Sequence, residues 1–378
     1  MQTEKKRILE MVEGGKLTAS EALILLEQLD ETSKKEEEKQ NSFLFELEEE
    51  PAGNHKKKSF TEKLSKDESF NQKVMVAKDK IFGFVDTALN KIKDFDLDLN
   101  FGSYFEVAHV YQTNDLDFTE ISAEVSNGTI EIIPWATKEV RVECEARIYR
   151  AKDELEARSL FQAETSFGIK DGSMAFLNRQ KSMKIAARIL IPDHTYEQIA
   201  IRIFNGSAQG ENLKARSIKA KTANGKIHLV NISGEEAEID TANGGIILDQ
   251  ASFQKLAAET INGPISVSGA FHSIDVNSFN GEVKCLVENE TCERVRAKAV
   301  TGSIDLVLPD GAGIDADLRT NLGGFNVNLG GIDVIEEKKD VAKKALRFKA
   351  DGQKGERVYI LAETMSGSIS VLRNTHSE

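Results

Sequence analysis

The sequence predicts a mainly β protein: a single-stranded parallel β-solenoid, or β-helix, with a small N-terminal helical hairpin and an amphipathic capping helix. Three observations lead there. A short punctuation, Asn-Gly or a close variant, returns with glycines at 206, 225, 244, 263, 281, 302 and 323, at intervals of 19, 19, 19, 18, 21 and 21 residues. Apolar residues alternate on both sides of it, which is the two-residue period of a strand with one buried face. The same residue type also fills the same slot in successive copies, as stacked coils require and independent hairpins do not.

The slots are specific. Two residues after the glycine stand Ile227, Ile246, Ile265, Val283 and Ile304; four after it stand Leu229, Leu248, Val267, Cys285 and Leu306. Before it, at −7, −5 and −3, run Ile218, Ala220, Thr222; then Leu256, Ala258, Thr260; then Ile274, Val276, Ser278. Further copies occur as SNG at 126–128, FNG at 204–206 and VTG at 300–302, with weaker ones as NLG at 321–323 and MSG at 365–367. Coils stacked about 4.8 Å apart align such slots into columns. Asn224, Asn243, Asn262 and Asn280, beside Gly225, Gly244, Gly263 and Gly281, are the expected structural ladder, since stacked Asn side chains support parallel strands in register. Thr222, Thr241, Thr260 and Ser278 form a small inward column at the same bend. Asn-Gly alone also suits a hairpin turn, and paired glycines can cradle phosphate. The fixed repeat decides against both.

Along the chain, residues 1–30 read as two short helices. Gly14-Gly15 ends the first, and Thr18 with Glu21 has capping-box spacing for the second. Leu23, Leu25, Leu26 and Leu29 make that helix apolar on nearly every side, more than so small a hairpin can bury alone. They are the candidate residues for a protein partner, self-association or docking on the rest of the chain. Residues 31–70 form a flexible charged linker, interrupted by FLFEL at 43–47. Residues 71–98 return to helical period: Ile81, Val85, Ala88, Ile92 and Phe95 are spaced 4, 3, 4 and 3. With Lys73, Lys78, Lys80, Lys91 and Lys93 nearby, this stripe suits either a cap on a neighbouring domain or peripheral contact with an anionic membrane. Residues 99–374 are the solenoid, with insertions expected near 151–180 and 331–350.

Length and charge narrow the function classes. A chain of 378 residues calls for several domains or a repeat array. A net charge of −13 argues against nucleic-acid binding by the whole surface. The charged N-terminus lacks a secretory signal, and no apolar run reaches the roughly 18 residues of a membrane span. The expectation is a cytoplasmic protein, with membrane association and surface exposure left open. Cys144, Cys285 and Cys292, odd in number and without C-x-x-C, read as reduced buried thiols.

Catalytic, cofactor and metal motifs fail on inspection, so the expectation is no enzyme and no cofactor. Gly311-Ala-Gly313-Ile-Asp-Ala316 matches a dinucleotide fingerprint, but alternation after it predicts strand where helix is needed. Asp94, Asp96, Asp98 and Asn100 open like a calcium loop, yet Leu99 stands where glycine is required and Phe105 where glutamate is. Ser252 and Lys255 have S-x-x-K spacing without its companion motifs. The six histidines are scattered.

Two segments resemble known families. KRILEMVEGGKLTASEALILLEQLD resembles the SHOCT-like helical domain at the N-terminus of YvlB/LiaX-type proteins from Firmicutes. VSNGTIEI, the TANG coils, VTGSIDLVLPDGAGIDADLRTNLGGF, GGIDVIEEKKDVAKKALRF and AETMSGSISV are similar to the DUF4097 domain, also known as a candidate adhesin. The resemblance implies a role in cell-envelope stress, beside PspC-like membrane proteins and in responses to membrane-active antibiotics, with no catalytic residue to carry over. The function expected is a non-enzymatic interaction scaffold. The alternatives are a peripheral membrane-surface protein acting through the amphipathic helix, and a glycan-binding or carbohydrate-active β-helix protein.

Overall fold

The computed structural model describes residues 102–374, apart from 115, 341–342 and 353–356. The expected hairpin at 1–30, linker at 31–70 and amphipathic segment at 71–98 therefore lie outside the described residues.

The described part is mainly β, with 22 strands and one helix. Its regular middle follows from the slot pattern. Strand Ala215–Asn224 pairs in parallel with Ser233–Asn243, which pairs with the second half of Ile246–Asn262. That strand pairs with the second half of Ile265–Asn280, and this with Arg294–Thr301. Thr222, Thr241, Thr260 and Ser278 are consecutive partners in this register, as are Asn224, Asn243, Asn262 and Asn280. Past each glycine a second set of parallel strands brings Ile227, Ile246, Ile265, Val283 and Ile304 into one column. Each rung thus gives one strand to each of two faces, and the inward residues of both faces meet in one core. Ile218, Ala220, Ile227, Leu229 and Leu248 are completely buried there, as is Leu306.

A second bend, occupied by glycine at Gly269 but by polar residues in the three rungs before it, returns the chain between faces. Asn212, Asn231 and Gln250 hold positive φ of 57°, 50° and 54°, the left-handed region that Asn tolerates better than most residues. They lie 19 residues apart, six after the bend glycines.

The rungs stack in chain order from 196 to 309 but not at the ends. Strand Glu120–Trp135 lies between rung 173–192 on one side and rung 196–211 on the other, parallel to both. At the opposite end, Arg357–Ser366 pairs with Arg294–Thr301 and also with Gly313–Thr320, so the last rung of the chain is the next-to-last of the stack. Strict 19-residue stacking, the simplest form of the sequence expectation, is corrected here. Antiparallel segments make the detours feasible, since a hairpin carries the chain past a rung and back.

Those antiparallel segments occupy the two stretches read as insertions. In 151–180, helix α1 (Glu154–Glu164) is capped by Asp153, whose carboxylate accepts the backbone N–H of Glu156 at 2.8 Å. Ala157 and Phe161 of α1 are fully buried against the core. The remainder of that stretch is not an excursion: Ser173–Asn178 rejoins the stack beside Glu120–Trp135, and Thr165–Lys170 pairs antiparallel with it. In 331–350, Ile332–Asp340 and Lys343–Ala350 form an antiparallel hairpin laid along Gly313–Thr320.

Candidate functional site

Among the described residues, the repeated bend is the polar site held by the most regular set of hydrogen bonds. At each turn the glycine N–H donates to the Asn carbonyl of the next rung, as Gly225 to Asn243 and Gly244 to Asn262, both at 2.8 Å. The glycine carbonyl accepts the Thr or Ser hydroxyl of the next rung: Thr241 to Gly225 and Thr260 to Gly244 at 3.0 Å, Ser278 to Gly263 at 3.1 Å. Glycine is required because the rungs approach so closely. A Cβ on Gly244 would stand 1.9 Å from the carbonyl oxygen of Gly225. The Thr-x-Asn-Gly pattern is therefore one solution to one problem, pairing the glycine N–H, the glycine carbonyl and the Asn carbonyl at a sharp bend.

Outside the bend the Asn side chains form a continuous amide chain. Asn224 donates to Asn205, Asn243 to Asn224 and Asn262 to Asn243, each at 2.8 Å, and Asn280 donates to Asn262 at 2.9 Å. Asn205 extends the chain to Asn127 at 2.9 Å, and the Thr301 hydroxyl caps its other end on Asn280. The Asn205 and Asn127 steps join residues 78 apart, and sequence reasoning missed them although both precede bend glycines.

Four residues before the bend glycines runs an outward column, charged except at Asn277, that the sequence reading also missed. Lys221 lies 3.0 Å from Asp240 and 2.6 Å from Glu238. Burial lifts the Asp240 carboxyl above the usual aspartate range, despite the Lys221 charge beside it. Burial pushes Glu238 the same way, but the charge and hydrogen bond of Lys221 more than offset it and hold Glu238 below the usual range. Farther along, Glu363 is almost fully buried between Lys298, 2.8 Å away, and Arg319, 3.6 Å away. A slot pattern limited to inward residues could not show this column; comparison of the outward residues at 19-residue spacing would have shown Lys221 opposite Asp240, but not Glu363 between Lys298 and Arg319.

The thiols are core groups. Burial pushes Cys144 and Cys285 up to about 12 and Cys292 up to about 11, which leaves them protonated and poor nucleophiles. His228 lies 3.7 Å from Asp249 and His272 lies 3.3 Å from Glu293, both pairs at the surface. The residues after Gly311 and Gly313 form strand Gly313–Thr320. Among the described residues, no group of three or more His, Cys, Asp and Glu is gathered closely enough to hold a metal ion, and no helix is long and apolar enough to cross a membrane. Leu23, Leu25, Leu26 and Leu29, with Ile81, Val85, Ile92 and Phe95, lie outside the described residues.

Residues 118–372, which hold every rung described above, match the Toastrack DUF4097 family. The chain belongs to that family. Residues 3–34 of this Toastrack protein match a SHOCT-like domain. A Bacillus subtilis relative, described as uncharacterized protein YvlB, is 40% identical over 373 residues, covering 98% of this chain and 99% of its own length. Among solved structures, a candidate adhesin from Bacteroides fragilis is 11% identical at a TM-score of 0.37, covering 71% of the Toastrack chain and 97% of its own. A candidate lipid-binding protein from Parabacteroides distasonis is 14% identical at a TM-score of 0.38, with the same coverages of 71% and 97%.

Proposed function

We propose that this Toastrack protein is a non-enzymatic interaction scaffold at the bacterial cell envelope. Its rungs act as turns of one β-solenoid, a rigid binding rod, and the SHOCT-like segment engages a protein partner or a second copy through Leu23, Leu25, Leu26 and Leu29. The observation that carries this reading is the bend, where backbone, hydroxyl and amide groups of neighbouring rungs hold each other in uninterrupted register. Such a stack resists bending and suits a platform better than a site that must move during chemistry. A membrane-associated partner of PspC-like kind agrees with the envelope-stress role implied by the resemblance. Leu26→Asp in the full chain tests the partner surface. Light scattering should show a lower oligomer mass, or binding to a PspC-like cytoplasmic segment should fall roughly tenfold, as the loss of about 1.4 kcal/mol implies. An unchanged mass together with unchanged binding would remove the N-terminal leucines from the proposal.

A second reading rests on the apolar stripe and the lysines of residues 73–95: peripheral contact with an anionic membrane surface. Sedimentation with phosphatidylglycerol vesicles tests it, and equal binding to neutral vesicles or no weakening by salt would reject it.

A further inference from the structure

The two ends of the stack are finished differently. At one end helix α1 packs against Tyr104–Thr113, Val140–Tyr149 and Thr165–Lys170. At the other, Lys343–Ala350 pairs with Gly313–Thr320 on one side and with Ile332–Asp340 on the other. Among the described residues Ile332–Asp340 pairs with no further strand, so its outer row of backbone N–H and C=O groups meets none. All nine of its residues are exposed, which holds for no other described strand. Ile332, Val334 and Ile335 are three of the seven large apolar side chains exposed among the described residues.

An open edge accepts another strand, and charge on it, lysine above all, ordinarily prevents this. Here the lysines are already neutralised: Lys338 lies 2.7 Å from Glu336, and Lys339 lies 2.7 Å from Glu337. Strand alternation puts the first pair on one face and the second on the other. Pairing with Lys343–Ala350 shifts register only between Val334 and Glu336, so 336–340 is the regular part of the edge.

The order of the charges selects the occupant. Glu-Glu-Lys-Lys reversed is Lys-Lys-Glu-Glu, so a second copy running antiparallel sets acid against base. A parallel copy in register would set like against like. A two-fold axis through Glu337 places Glu336 of each copy opposite Lys338 of the other. With the bridge already inside each strand, these charges close a square of alternating sign on one face. On the other face the two Glu337 side chains meet at the axis, each flanked by its own Lys339 and, on the diagonal, by that of the second copy. Ile335 then lies alongside the methylene stem of the opposite Lys339, which takes apolar surface out of water.

We propose that Ile332–Asp340 is a self-pairing edge, through which two copies of this chain join as antiparallel strands centred on Glu337. Each copy consumes the other's open edge, so the contact closes as a dimer and does not propagate. This surface is separate from the N-terminal leucines.

Sedimentation velocity on the full chain carrying Leu26→Asp reads this dimer alone, because that change removes the N-terminal route to self-association. A contact this small calls for a micromolar dissociation constant, so the mass is followed from about 1 to 100 µM. Glu336→Lys and Lys338→Glu each set like charges against themselves across the axis, and each should raise the dissociation constant roughly tenfold or more. Mixed in equal amounts, the two variants complement each other at both positions, and a heterodimer should recover most of that loss. An effect confined to one chain could not be rescued by mixing. Unchanged dissociation in both variants, or no rescue on mixing, would overturn the proposal. A single-chain mass over the whole range with the native edge would also overturn it, and would leave the edge to a strand from a different protein. Comparison with the chain that keeps Leu26 reads the leucine surface separately, so either surface can fail without the other.

Discussion

The middle of the stack and its two ends are built from the same bend but from different neighbours. Between 206 and 281 each bend hydroxyl reaches a glycine carbonyl 15 or 16 residues back. At the C-terminal end the same bond spans 62 residues from Thr364 to Gly302 and 47 from Thr320 to Gly367. The distances barely differ, 2.8 and 2.9 Å against 3.0 and 3.1 Å. Closing a loop about three times longer costs only roughly 1 kcal/mol more. The rung is therefore a module whose chemistry does not depend on chain separation, and what varies between middle and end is how the right neighbour is chosen.

The largest expected effect breaks the module itself. Gly244→Ala places a Cβ 1.9 Å from a backbone oxygen that cannot swing aside. Urea denaturation should show a loss of about 3 kcal/mol or more, at the upper end of what overpacking produces. Gly324→Ala, next to the bend glycine of the end rung, meets nothing within 4 Å and should be nearly neutral. Equal losses would mean that rung spacing is not set by the glycine column.

This comparison also shows what was legible in the sequence. The repeat from 206 to 302 could be read because chain period and spatial period coincide there, so one-dimensional spacing is already the fold. The bend residues carried the same legibility, since Thr222, Asn224 and Gly225 recur as a unit. The end order could not be read from spacing. Nothing in the interval between Gly302 and Gly323 says that Gly367 sits between them, stacked on Gly302 and beneath Gly323. The second bend was missed for a different reason: Asn212, Asn231 and Gln250 are ordinary polar residues until their backbone angles are known. The charged column was hidden because the slot pattern was drawn from inward residues, whereas Glu363 and Asp240 point outward and are still buried beside their partners.

Three smaller substitutions sharpen the comparison. Thr260 is completely buried, and Thr260→Val removes the hydroxyl that meets the Gly244 carbonyl, for an expected loss of about 1–3 kcal/mol. Thr364→Val removes the same bond at the out-of-order rung and should cost the same within error. A much larger loss at Thr364 would show that end bends depend on their neighbours more than middle ones do. Asn243→Ala breaks two amide bonds of the exposed ladder, and exposure should hold the loss to about 1 kcal/mol. Denaturation midpoints at constant m-value report all three.

The smallest effect probes the charge column in the middle, where no choice of neighbour is needed. Asp240 is buried with its carboxyl raised above the usual aspartate range. The folded state therefore binds its proton more tightly than the unfolded chain does. Stability from this group is present below the unfolded value and is lost as pH rises through the raised folded value. Asn keeps the neutral form at every pH. Relative to the native chain, Asp240→Asn should thus gain melting temperature progressively as pH rises above the ordinary aspartate range. Glu238, whose charge helps to raise Asp240 and which shares Lys221 with it, contributes the opposite slope. A relative loss over the same range would mean that the ion pair with Lys221 outweighs the burial of Asp240. The middle column would then be held by charge as tightly as the ends, and the distinction between the two regions would narrow to chain order alone.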